Sequence, residues 1–181
     1  MLVKGVYGYI YTLFATGGGA FLGFKMSDSL KILLAAMTPI GELRFSIPLG
    51  IITLDMIWYK VLFLSVGGNI VPVPILLITI DRINNFLQAH PNVLTKFLNW
   101  RADNIRKYYS SRWGKYGLAF LVILVAIPLP FTGAWTGSVA AWVFHIPKRK
   151  AIPSIMLGII ISGLIVTFIT ISGANIRSLL K

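Results

Sequence analysis

Cysteine is absent from this chain, which excludes disulfides, thiolate metal sites and a cysteine nucleophile. Acids are scarce too, with five Asp and Glu against seventeen Lys and Arg. The two histidines, His90 and His145, lie 55 residues apart, and no serine or aspartate pattern accompanies either. Only one acid, Glu42, sits deep in an apolar run. There is thus no carboxylate pair for acid–base work and no ligand cluster for a metal. An enzyme is poorly supported on these grounds, and no cofactor is expected.

What the chain has instead is apolar length. Hydrophobic residues make up 56% of the 181 positions, and mean hydropathy is +0.80. A soluble domain is typically about 45–50% apolar. The expected class is an all-α polytopic membrane protein, a single membrane domain over 1–181, with material for four or five crossings of about 20 residues. The net charge of +12 would suggest nucleic acid in a soluble protein. Without a soluble basic domain, it is better assigned to cytoplasmic loops that meet anionic membrane lipids. No nucleic acid is expected as a partner.

One stretch organises the rest, Leu33 to Ile51, LLAAMTPIGELRFSIPLGI. Pro39, Gly41 and Pro48 interrupt it, and Glu42 and Arg44 are its only charges. A charge at a bilayer centre costs about 2.5–3.5 kcal/mol on an insertion scale. Broken backbone at that depth is tolerated only inside protein or beside a water-filled cavity. The stretch therefore reads as a polar-tipped, broken element.

In chain order, residues 5–24 predict a transmembrane helix, too long for the apolar core of a signal peptide. Residues 29–54 predict a re-entrant hairpin of two short helices. Ser27 or Asp28 caps the first helix, and Pro39 and Gly41 end it. A single kinked span is the rival reading. Residues 57–80 predict a crossing. Gly67, Gly68 and Asn69 near its middle are either an unwound, site-lining segment or small residues at a packing contact. Residues 82–115 are polar and strongly basic, with Trp100 and Trp113 among recurring apolar positions. They predict an amphipathic, interfacial segment on the cytoplasmic side. Residues 117–144 repeat the hairpin pattern around Pro128, Pro130, Thr132, Gly133, Ala134, Trp135, Thr136 and Gly137, with Thr132 placed to cap the second arm. Residues 150–173 predict a last crossing.

The halves match loosely. Pro39 precedes Pro128 by 89 residues, Gly68 precedes Gly158 by 90, and Ile78-Thr79-Ile80 precedes Ile169-Thr170-Ile171 by 91. Hairpin-then-span occurs twice. With one crossing between the hairpins, the second enters from the opposite face, which makes an inverted repeat of the kind found in secondary transporters. Loop charge does not choose between hairpins and five straight spans. Each arrangement puts eleven basic residues inside and five outside. They differ at the C-terminus, outside for hairpins and inside for five spans.

The motif Pro39-x-x-Glu42-Leu43-Arg44-x-x-Ile47-Pro48-Leu49-Gly50, followed by Pro128-x-Pro130-x-Thr132-Gly133-Ala134-Trp135-Thr136-Gly137, resembles the small multidrug export protein family, which is placed near the DedA superfamily. The resemblance runs from about residue 30 to 172. Phe45 and Ser46 depart from it, since smaller residues are expected there. It implies paired re-entrant hairpins and a transporter or lipid translocase in the plasma membrane, with polyprenyl-phosphate or another phospholipid as cargo and with proton coupling.

The residues suggest matching roles. The helix starts near Leu43 and Gly133 would offer N–H groups to an anion. Arg44 suits phosphate or carboxylate. Glu42 is the candidate proton carrier. Thr132 and Thr136 offer hydroxyls to a head group, and Asn69 lines the site. Pro39, Gly41, Pro48, Pro128, Pro130, Gly133, Trp135 and Gly137 form the hairpin tips. A bundle this small suits a homodimer. The competing functional reading is a structural membrane protein or complex subunit, in which Glu42 and Arg44 stabilise the tips alone.

Overall fold

Ser27 opens the first helix by accepting a hydrogen bond from the Leu30 amide, so of the two expected caps it is the serine that serves. The structure, a computed structural model, describes residues 26–39, 41–89, 113–129, 132–144 and 146–179. The expected helix over 5–24, most of the basic segment, Pro130 and both histidines lie outside the described residues. Helix α1 runs Asp28–Met37. Its ten residues rise about 15 Å, half a hydrocarbon core. After the turn at Pro39–Gly41, α2 runs Glu42–Pro48. Pro48 has no N–H to give the preceding turn, and the helix widens there into a π-helical turn, Leu49–Thr53. Asp55, in the left-handed region at φ 51°, ends it.

Helix α3, Trp58–Ile70, follows. Val71 separates it from α4, Pro72–Ala89. A proline suits a first helical position, where its missing N–H has no partner to lose. The expected crossing over 57–80 is therefore helical through Gly67–Asn69, without an unwound segment, and α4 runs on to Ala89. Helix α5 is Trp113–Ala126, α6 is Ala134–Val143 and α7 is Lys148–Leu179. No strand occurs among the described residues. Two helical stretches, Trp58–Ile83 and Lys148–Ala174, are long and apolar enough to cross a membrane.

The chain divides into two compact units, one of residues 1–71 with 159–181, the other of residues 72–158. In the first, α1 and α2 both pack on α3. The second arm folds back on the first: a Cβ on Gly50 would stand 3.0 Å from Ile32 Cδ1, near the far end of α1. Ile32, Ala35, Ala36, Leu43, Ile47, Leu49 and Val61 fill this core. In the second unit, α5 and α6 also form a hairpin. Phe120 and Phe144 meet edge to face at 5.9 Å, while Gly137 packs on Val125 nearer the turn. Asp81 on α4 and Lys148 at the start of α7 form an ion pair.

The surface is apolar where a soluble protein's would be polar. Phe63 is 80% exposed and Phe168 is 74% exposed, among many exposed isoleucines and leucines. Such surface calls for an apolar surround. Of the eight buried polar or charged side chains among the described residues, Ser138 alone belongs to the second unit. Glu42, Ser46, Ser65, Asn69, Ser162, Thr167 and Thr170 belong to the first.

Candidate functional site

The turn between α1 and α2 is built around one threonine. Thr38 donates its hydroxyl to the Ala35 carbonyl at 2.8 Å and accepts from the Gly41 amide at 3.3 Å. The Glu42 amide then donates to the Thr38 carbonyl at 3.2 Å. Gly41 is needed here, since a Cβ would lie 2.8 Å from the Thr38 hydroxyl.

Glu42 follows, the single glutamate of the chain. It is 7% exposed and its backbone is left-handed, with φ 45°. A non-glycine residue in that region costs on the order of 1–3 kcal/mol and persists only where its surroundings enforce it. Arg44, two residues on, is half-buried. Glu42 and Arg44 both have interaction partners. Glu42 departs from helical dihedrals at the first position, and α2 has only seven residues.

Facing α2, helix α3 repeats its polar spacing. Gly50 packs on Val61, and Ser46 donates to Ser65 at 2.9 Å. Asn69 lies one turn further along α3 from Ser65. Asn69 is 1% exposed, and its Oδ1 has no hydrogen-bond partner among the described residues. A buried polar atom left unpaired costs about 1–3 kcal/mol. Thr167 on α7 carries a second such hydroxyl. Gly68 beside Asn69 serves packing: a Cβ there would lie 2.6 Å from the Leu33 carbonyl oxygen of α1.

The second turn places its residues differently from expectation. Thr132 does not cap α6. Its hydroxyl turns back to the first arm, donating to the carbonyls of Ile127 at 2.7 Å and Leu129 at 2.8 Å and accepting from the Leu129 amide. Gly133 caps α6 without a side chain, at φ 150°, ψ −157°, a conformation essentially restricted to glycine. Thr136 is exposed, in the first turn of α6, with its hydroxyl aimed at the Gly133 carbonyl. Trp135 is half-buried beside it and Pro128 is half-buried in the turn. Pro39 is exposed in the first turn. Two residues expected at tips stand elsewhere. Pro48 ends the second arm, away from the first turn, and Gly137 lies inside α6 against Val125.

Thr38, Ser46 and Ser65 were not among the residues expected from sequence. The available signal was spacing. Glu42 and Ser46, like Ser65 and Asn69, are four apart and so share a helix face. No group of three or more metal-ligating side chains occurs among the described residues.

Crossing-length apolar helices and many exposed apolar side chains are the features of an all-helical membrane protein. The sequence pattern of the family described as "Putative small multi-drug export protein" matches residues 42–165, more than half of the chain. The chain belongs to that family. Neither a curated protein nor a solved structure matches it significantly.

Proposed function

We propose that this protein is a membrane transporter or lipid translocase for an anionic lipid or a small anionic or amphipathic solute, coupled to protons. The observation that carries the reading is Glu42. The chain's one glutamate is buried, held in a left-handed conformation at a helical turn, and followed two residues later by Arg44. Strained backbone with buried charge is a common mark of functional sites. In this reading both hairpins are re-entrant, an arrangement supported by arms of about half a bilayer's thickness. Arg44 meets the anionic group of the cargo, and Glu42 carries the proton. The family name supports export. The relation to the DedA superfamily, the lipid cargo and the plasma-membrane location with residues 82–115 in the cytoplasm rest on resemblance and loop charge.

The test is translocation in proteoliposomes loaded with fluorescent anionic or zwitterionic lipids, or with amphipathic dyes, with and without a pH gradient. Native protein is compared with folded Glu42→Gln and Arg44→Ala. The reading expects movement in the native protein and at least tenfold slower movement in both variants. It also expects gradient dependence to vanish in Glu42→Gln. A folded native protein that moves none of these cargoes would refute transport and leave the structural role.

A further inference from the structure

We propose that the junction of α4 with the start of α7 binds an anionic phospholipid, its phosphate held by Arg82 and Arg149 and its acyl chains laid along the exposed apolar face of α4. The site uses no residue of the first hairpin turn and does not depend on transport.

Charge is the first observation. Asp81 of α4 and Lys148 of α7 form an ion pair, which fixes where the two helices meet. Asp81 is the one acid among the described residues of this unit, and Lys148 occupies it. Arg82 and Arg149, each the next residue after a member of that pair, are exposed, as is Lys150. These three cations have no ion pair among the described residues. Lys148, Arg149 and Lys150 also fill the first turn of α7, at the positive end of its dipole, where cations are unfavourable and an anion relieves them. Arginine suits phosphate because its planar fork meets two oxygens at once.

Amphipathic spacing is the second observation, and it selects a lipid over a free anion. Ile75, Ile78 and Arg82 are exposed and recur at i, i+3 and i+7, so they share one face of α4. Arg82 stands about 10 Å along the helix from Ile75. On α7, Lys150, Pro153 and Leu157 are exposed at the same spacing. Both helices thus carry a cation where an exposed apolar face ends. That level is also where the two crossing-length stretches end and begin, at Ile83 and at Lys148. Tyr116, 72% exposed one turn before Phe120, marks the same end of the unit, since Phe120 meets Phe144 four residues before Lys148. Tyrosine favours the membrane–water boundary. An anionic phospholipid meets both the cations and the apolar face. Inorganic phosphate meets the cations alone.

The experiment measures thermal unfolding of the purified full chain in mild detergent while dioleoylphosphatidylglycerol, dioleoylphosphatidylcholine or inorganic phosphate is titrated. Phosphatidylglycerol should raise Tm along a saturating curve, and the other two should not. Arg82→Gln and Arg149→Gln should each raise the half-saturating concentration about fivefold, the usual weight of one cation at an anionic surface, and together roughly 25-fold. Arg82→Lys and Arg149→Lys, which keep the charge and lose the fork, should show an intermediate weakening, and they serve if a glutamine variant fails to fold. Lys60→Gln, which removes an exposed cation of the other unit, should leave the response unchanged. So should Arg44→Ala, which separates this site from cargo bound at the first turn. A native protein that does not respond to phosphatidylglycerol overturns the proposal, as does a response that the Arg82 and Arg149 variants leave unaltered or that Arg44→Ala abolishes. An equal rise with phosphatidylcholine, which would be solvation by lipid without recognition of charge, overturns it too. An equal rise with inorganic phosphate would make this a free-anion site and likewise overturn it. The readout needs no movement of cargo, so the site can stand while transport fails, and the reverse.

Discussion

Ser46 on α2 and Ser65 on α3 join their hydroxyls at 2.9 Å inside a fully buried contact. Removing one partner leaves the other buried and less well satisfied, at about 1–3 kcal/mol. Removing both is cheaper than the sum. Ser46→Ala and Ser65→Ala should each lower unfolding stability by about 1 kcal/mol, and the double variant should show a coupling of at least about 0.5 kcal/mol. Unfolding measured in mild detergent across the four proteins checks this. Strict additivity would show that the hydroxyls do not depend on each other.

Two adjacent glycines of α3 should respond with opposite sign. Nothing lies within 4 Å of a Cβ added at Gly67, whereas one at Gly68 would meet the Leu33 carbonyl oxygen at 2.6 Å. Gly67→Ala should stabilise by up to about 1 kcal/mol through helix propensity. Gly68→Ala should destabilise by about 1–3 kcal/mol by forcing α1 off α3. Equal shifts in Tm would contradict this packing.

Strain at Glu42 can be isolated by comparing two truncations. Ala normally outranks Gly in a helix by about 0.5–1 kcal/mol. At φ 45° the order should invert, with Glu42→Gly more stable than Glu42→Ala by about 1 kcal/mol. Both lack the carboxylate, so the comparison isolates the backbone from the loss of charge. The usual order would mean that no strain is stored there.

At the second turn, Gly133→Ala should cost about 1–3 kcal/mol, since φ 150° with ψ −157° excludes a side chain. A Tm unchanged within error would contradict the described turn. Thr132→Val should also lower stability there, because the Ile127 and Leu129 carbonyls lose a common donor.

Much of the architecture was legible because proline and glycine punctuate it. Pro39 with Gly41, and Pro128 with Gly133, mark turns between arms too short to cross alone, and the ten residues of α1 match the apolar run before Pro39. Register was not legible. Serines inside an apolar run carry little hydropathy signal, so the Ser46–Ser65 contact emerges only once α2 lies against α3. Thr132 illustrates a different limit. A threonine before a helix reads as a cap, but this one has nearer acceptors behind it, released by Pro128 and the end of α5. The backbone of Glu42 was also hidden, because left-handed dihedrals are expected of glycine and the neighbouring Gly41 is the residue that stays right-handed. The buried carboxylate itself was visible, as the one acid in a long apolar stretch.

Gly68 carries a mechanical consequence. With main chain of α1 resting on a position that has no side chain, and Gly50 seated on Val61 at the other end of the same contact, α1, α2 and α3 interlock at both ends. The hairpin cannot swing alone like a gate on a hinge. Any displacement of Glu42 that keeps these contacts must carry all three helices together.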